Sequence, residues 1–272
     1  MNQHESRSGL LPADWWVVED AVVARASRRT HEALADVRIP ARLAEYYRRG
    51  SSYAGATFLD LEPHAPYAIT PGDVLALNTL NVPVGAGAIR RLLAPGGQSA
   101  AISQLLASDA LRVGADLRTA DRGVFEAMEQ LYVAVKSAIS GEAVAHPNAW
   151  VTASTLCARK RPELFPVRDY VVCRHLGLLD GGGRYTQDWL VFRALMSDAG
   201  VRAGVESLIA RTEGPGIEVG DRHALLRHLD VVLWMHAREV RPAGTGAARA
   251  ERRSAARGDG LDIPGQGQWL LT

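Results

Sequence analysis

Residues 119–139, TADRGVFEAMEQLYVAVKSAI, repeat their apolar positions at three- and four-residue intervals. That spacing lines Phe125, Met128, Leu131 and Val135 along one face of a helix. It is incompatible with a half-buried strand, whose side chains alternate with period two. The same period recurs in DWWVVEDAVVARASRRTHEALADV (14–37), with arginines on the opposite face. PARLAEYYRR (40–49) follows, with Pro40 suited to a first helical position and Gly50 to a stop. TPGDVLALNTL (70–80) opens another helix: Thr70 can cap it, Pro71 fits the first turn, and Asp73 complements the helix dipole. Further helices are expected at about 85–94, 99–107, 185–199, 200–211 and 221–239.

Sustained period-two alternation is absent. GSSYAGATFLDLEPHAPYA (50–68) is the least regular stretch and leaves room for one short strand at 56–61. The expected fold class is therefore all-α: a two-lobed helical bundle within residues 1–240. Beyond Arg241 the hydrophobic pattern is lost, so 241–272 reads as a low-complexity tail whose apolar end, QWLLT, can pack on the body. No internal repeat is visible.

Composition narrows the function classes. The 272 residues can bury a large core, and the formal net charge is only +1, so attraction to a polyanion requires a local patch. No apolar run reaches the length of a membrane span, and the charged first thirty residues hold no secretory h-region, so a cytoplasmic protein without membrane contact is expected. Cys157 and Cys173 lie inside apolar runs and read as buried thiols. His223, His228 and His236 are five and eight residues apart, which does not bring them to one helical face, so no metal site and no cofactor is expected. GGG (181–183) and GPG (214–216) lack the Lys-Ser/Thr of a phosphate-binding loop.

The chemistry-bearing stretch is CARKRPELFPVRDYVVCRHLGL, 157–178. It follows a long helix, a turn GEAVAHPNAW and a second helix, VTASTLCARK, and it places Asp169 at the start of a third. The order helix, turn, helix, loop, acid over 119–178, with Thr152-Ala153 in the second helix and LFPVRDYVVCRHLGL around the acid, resembles the helix-hairpin-helix DNA glycosylases, most of all their alkylpurine branch. The hairpin departs from that pattern. Pro147-Asn148-Ala149 stand where the family carries glycines that let backbone amides approach a phosphate. The lysine of the strand-cutting members would fall at Val151. The chain also resembles a bacterial family with the signature ARKRP-x-L-x-PV-x-D and no assigned function.

The resemblance implies a monofunctional enzyme that hydrolyses the N-glycosidic bond of a flipped, damaged or modified base, with DNA as partner. Asp169 would be the catalytic acid. Its ionised carboxylate would stabilise positive charge on the sugar, with Arg168 and Arg174 holding its pKa low. Asn148, Thr152, Arg159, Lys160, Arg161 and Arg168 would contact DNA. Trp150, Tyr170 and Tyr53 would line the base pocket.

The same residues have plainer readings. Asp169 can be a helix cap, and ARKR complements a helix C-terminus whatever it binds. Two alternatives follow: a non-catalytic helical module that binds nucleic acid or protein, and a nucleoside-type small-molecule enzyme reusing the cleft. A cleft with Asp169 on its floor and the 159–161 cations on its rim would favour the glycosylase. A filled interior would favour the module.

Overall fold

The computed structural model describes residues 17–141, 149–179 and 185–239. Among these it contains eleven α-helices, three 3-10 turns and no strand: α1 (Asp20–Ala35), α2 (Ile39–Tyr47), α3 (Pro71–Thr79), α4 (Ala86–Leu93), α5 (Gly97–Leu106), α6 (Arg122–Ser140), α7 (Ala149–Lys160), α8 (Tyr170–Leu176), α9 (Tyr185–Ser197), α10 (Ala199–Thr212) and α11 (Leu225–Glu239). The all-α expectation holds. The described residues up to Ala237 form one compact unit. The expected tail beyond 240 lies outside the described residues, as does most of the GEAVAHPNAW turn.

Local chemistry accounts for the helix starts. Thr70 and Asp73 form a reciprocal capping box at α3, with Pro71 in its first turn. The carboxylates of Asp121 and Asp198 accept the first free backbone N–H groups of α6 and α10. α8 ends on Gly177 at φ 76°, a left-handed conformation that favours glycine. Gly72 has a different reason to be small: a Cβ there would lie 2.2 Å from the Pro63 carbonyl oxygen, so α3 packs directly on the 62–63 backbone.

α6 is the central helix. It buries Phe125, Met128, Leu131, Tyr132 and Val135 and packs against α4, α5 and α7. Each such side chain, fully buried, contributes roughly 1.5–3 kcal/mol relative to exposure. α3 lies on α7, α2 on α10, and α1 on α8, α9 and α10. Cys157, Cys173 and Phe165 are all in the core, Phe165 with its ring 5.5 Å from that of Trp189.

The short strand expected at 56–61 does not form. Gly55–Thr57 is a 3-10 turn, and the carbonyls of Phe58 and Leu61 accept hydrogen bonds from Arg159 instead of a neighbouring strand. A side chain from α7 supplies the partner that a β-ladder would have offered.

Candidate functional site: a cation clamp and a half-buried acid

The three cations that end α7 point into the protein. Arg159 is 1 % exposed, Lys160 4 % and Arg161 2 %. Arg159 Nε meets Asp73 Oδ1 at 3.1 Å, and its two terminal nitrogens donate to the carbonyls of Phe58 (2.6 Å) and Leu61. Lys160 Nζ donates to Asp73 Oδ2 at 2.8 Å and to the Ala65 carbonyl. Arg161 donates to the carbonyls of Leu106 (2.6 Å), Pro66 (2.9 Å), Lys160 (2.7 Å) and Leu111. Together they fasten the irregular 58–66 segment and the end of α5 to α7.

Asp73 is the hub of this clamp. It is fully buried, and His64 Nδ1 stands 2.9 Å from its Oδ1. Burial works against its charge, but Lys160 and the Thr70 backbone N–H hold the carboxyl below its ordinary range. Arg159, Lys160 and Arg161, expected to contact DNA, are thus placed inside the protein. Their donors are used on buried and part-buried carbonyls and on one buried carboxylate.

Asp169 is the N-cap of α8, its Oδ1 accepting from the Val172 backbone N–H at 2.7 Å. It is half-buried, beside Tyr170 at 53 % exposure. Burial pushes its carboxyl upward, with the Val172 and Val171 amides and Arg227 acting the other way. The low pKa expected from Arg168 is not found, because Arg168 turns away. Only 2 % exposed, it pairs with the buried Asp188, approaches Ser154 at 3.3 Å and sits 5.2 Å over the ring of Trp150. Asp188 draws Arg168 above its usual range although burial opposes it.

The other predicted site residues divide. Thr152, expected at a DNA contact, is 1 % exposed. Arg168, expected in the same set, is buried against Asp188. Trp150 is half-buried with one ring face covered by Arg168, which leaves that face unable to stack on a base. Tyr53 is packed beside Tyr46 (5.5 Å between centroids) and Trp234 (6.0 Å). Asn148 lies outside the described residues. The structure thus brings Trp150 to Arg168 and leaves Tyr170 beside Asp169, while Tyr53 belongs to a separate aromatic group.

That group leads to Arg227 and Asp230, which the sequence did not single out, and to His228. Arg227 of α11 donates to the Tyr46 hydroxyl at 2.7 Å and lies 5.1 Å over the Phe58 ring. Asp230, one turn on and 3 % exposed, accepts from the Val167 N–H at 2.8 Å through Oδ2, while its Oδ1 has no partner among the described residues. Burial pushes its carboxyl up to about 8. His228 bridges the Tyr47 hydroxyl (2.8 Å) and the Asp221 carbonyl (2.9 Å). A carbonyl only accepts, so Nε2 carries the proton, Tyr47 donates to Nδ1, and the ring is neutral. Burial lowers its pKa to about 4. His236 instead meets Asp36 at 3.1 Å, and His223 is exposed.

A signal for this cluster exists in HLDVVLWMH (228–236): Asp230 interrupts a continuous apolar run, and a helix that is apolar all round is buried. A pocket of about 20 Å³ opens at Tyr47, Leu59, Asp60, Asp221, Arg227 and His228, and Asp169 is not among its lining residues.

Comparison with known proteins adds a family without an activity. No curated protein and no solved structure matches the chain. The model described as "Family of unknown function (DUF6308)" matches residues 40–237, from the start of α2 to the end of the compact unit, and the chain belongs to that family.

Proposed function

We propose that this chain is a non-catalytic helical module that binds a protein partner, built on an order of helices like that of the helix-hairpin-helix glycosylases. The observation that carries this reading is the inward turn of Arg159, Lys160, Arg161 and Arg168. The groups a glycosylase would use to hold a distorted phosphate backbone are buried and hydrogen-bonded within the protein. Asp169 serves as a cap: its Oδ1 accepts from the Val172 backbone N–H. Tyr67, Leu75 and Val113, each within two residues in sequence of a clamp residue, are individually exposed.

One observation favours the N-glycosidic hydrolase as a second reading. Asp169 remains half-buried at a helix N-terminus beside an exposed tyrosine, where a flipped base could be met. A single experiment separates the two: base release from duplexes carrying alkylated, deaminated, oxidised and otherwise modified bases, with wild type and Asp169→Asn, alongside duplex binding at low and high salt. The module reading expects no released base and no salt-sensitive binding. Release by wild type that vanishes in Asp169→Asn, with binding retained, overturns it in favour of the hydrolase.

A further inference from the structure

The pocket at Arg227 holds a strongly buried charge that, among the described residues, has no ion-pair partner and, unlike Arg161, no set of carbonyls around it. Arg227 is 9 % exposed and lines the pocket, and among the described residues its only hydrogen bond runs from Nη2 to the Tyr46 hydroxyl. Asp230 acts on it electrostatically, but no ion pair joins them. With its carboxyl pushed up to about 8, Asp230 is mostly neutral at physiological pH and supplies little counter-charge. A buried guanidinium in that position is ready to take a carboxylate, whose planar geometry its donors match.

The mouth of the same pocket has the opposite sign. Asp60 and Asp221 line it, and both are exposed. Asp60 Oδ2 stands over Gly220, 3.4 Å from where a Cβ would sit, and Asp221 is fixed by accepting from the His223 N–H at 2.9 Å. A simple anion would be repelled by the mouth, and a simple cation by Arg227. A molecule carrying both charges is attracted by each. The pocket of about 20 Å³ has room for one or two water-sized groups, so a carboxylate can enter while the rest of the ligand stays at the mouth.

We propose that this pocket binds a small zwitterion of the amino-acid class, its carboxylate against Arg227 and its ammonium beside Asp60 and Asp221. The site uses none of the residues on which the module reading rests, so either idea can fail without the other. Calorimetric titration with glycine, β-alanine and 4-aminobutyrate tests it, with acetate and ethylammonium as single-charge controls. At least one zwitterion is expected to bind wild type more tightly than both controls. Asp60→Asn, an exposed substitution that leaves the core untouched, is expected to weaken that zwitterion about tenfold and to shrink its advantage over acetate. Arg227→Lys, checked for folding by circular dichroism, should weaken acetate and zwitterion together. No zwitterion binding, binding no tighter than acetate, or an Asp60→Asn variant that binds like wild type overturns the proposal.

Discussion

Asp73 and Asp230 are both buried carboxylates, 0 % and 3 % exposed, and they behave oppositely. Asp73 is surrounded by Arg159, Lys160, His64 and the Thr70 N–H, and its carboxyl lies below the ordinary range. Among the described residues, Asp230 receives one backbone N–H, keeps an unpartnered oxygen and is pushed up to about 8. Burial acts in the same direction on both. The number of donors each one meets decides the outcome. The saturated acid closes a clamp that organises the fold, and the unsaturated one lies next to the pocket whose arginine lacks a counter-ion.

The largest effect should come from breaking the saturated side. Asp73→Asn leaves Arg159 and Lys160 buried without their carboxylate, and a loss of about 3–5 kcal/mol is expected in urea denaturation. A loss below about 1 kcal/mol would mean that the carbonyls alone hold the cations. The two acids should also have opposite pH signatures. For Asp73, whose folded pKa is depressed, stability is present above the unfolded value of 3.8 and is lost as pH falls through the lower folded value. For Asp230 the folded pKa is raised, so its stabilising contribution is full below 3.8 and is lost as pH rises to about 8.

Asp230→Asn removes that dependence. Stability measured against pH should show wild type falling relative to the variant between about pH 4 and 8, by an amount on the order of a few kcal/mol. Parallel profiles would show that Asp230 stays ionised. The smallest effect belongs to Asp169, outside both regions. Asp169→Ala should cost about 1 kcal/mol as a lost N-cap, and Asp169→Asn only a few tenths, since asparagine caps nearly as well. Equal losses for both would point to a role for the charge itself.

The contrast also explains what could be read in advance. Each helix that the spacing of apolar residues predicts is present, because that spacing is local: Phe125, Met128, Leu131 and Val135 mark their face within one helix. Thr70 was legible as a cap for the same reason, and Asp73, read as complementing the helix dipole, completes it as a capping box. The direction of Arg159, Lys160 and Arg161 was not. Their partners stand at 58, 61, 65, 66, 73, 106 and 111, on segments that meet α7 only in the folded chain. A run of cations looks the same on paper whether it faces a phosphate or a ring of carbonyls. Arg168 misled in the same way: its neighbour in sequence is Asp169, but its partner is Asp188.

The chain has two lysines, and they sit on opposite sides of this argument. Lys136 is exposed on α6, and Lys160 is locked in the clamp. Brief acylation of the native protein with an amine-reactive ester, read residue by residue by peptide mass spectrometry, compares them in one sample. The clamp predicts rapid modification of Lys136 and protection of Lys160 until denaturant unfolds the chain. Modification of both at similar rates in the native state would contradict it, and would return the cations after Ala158 to the surface.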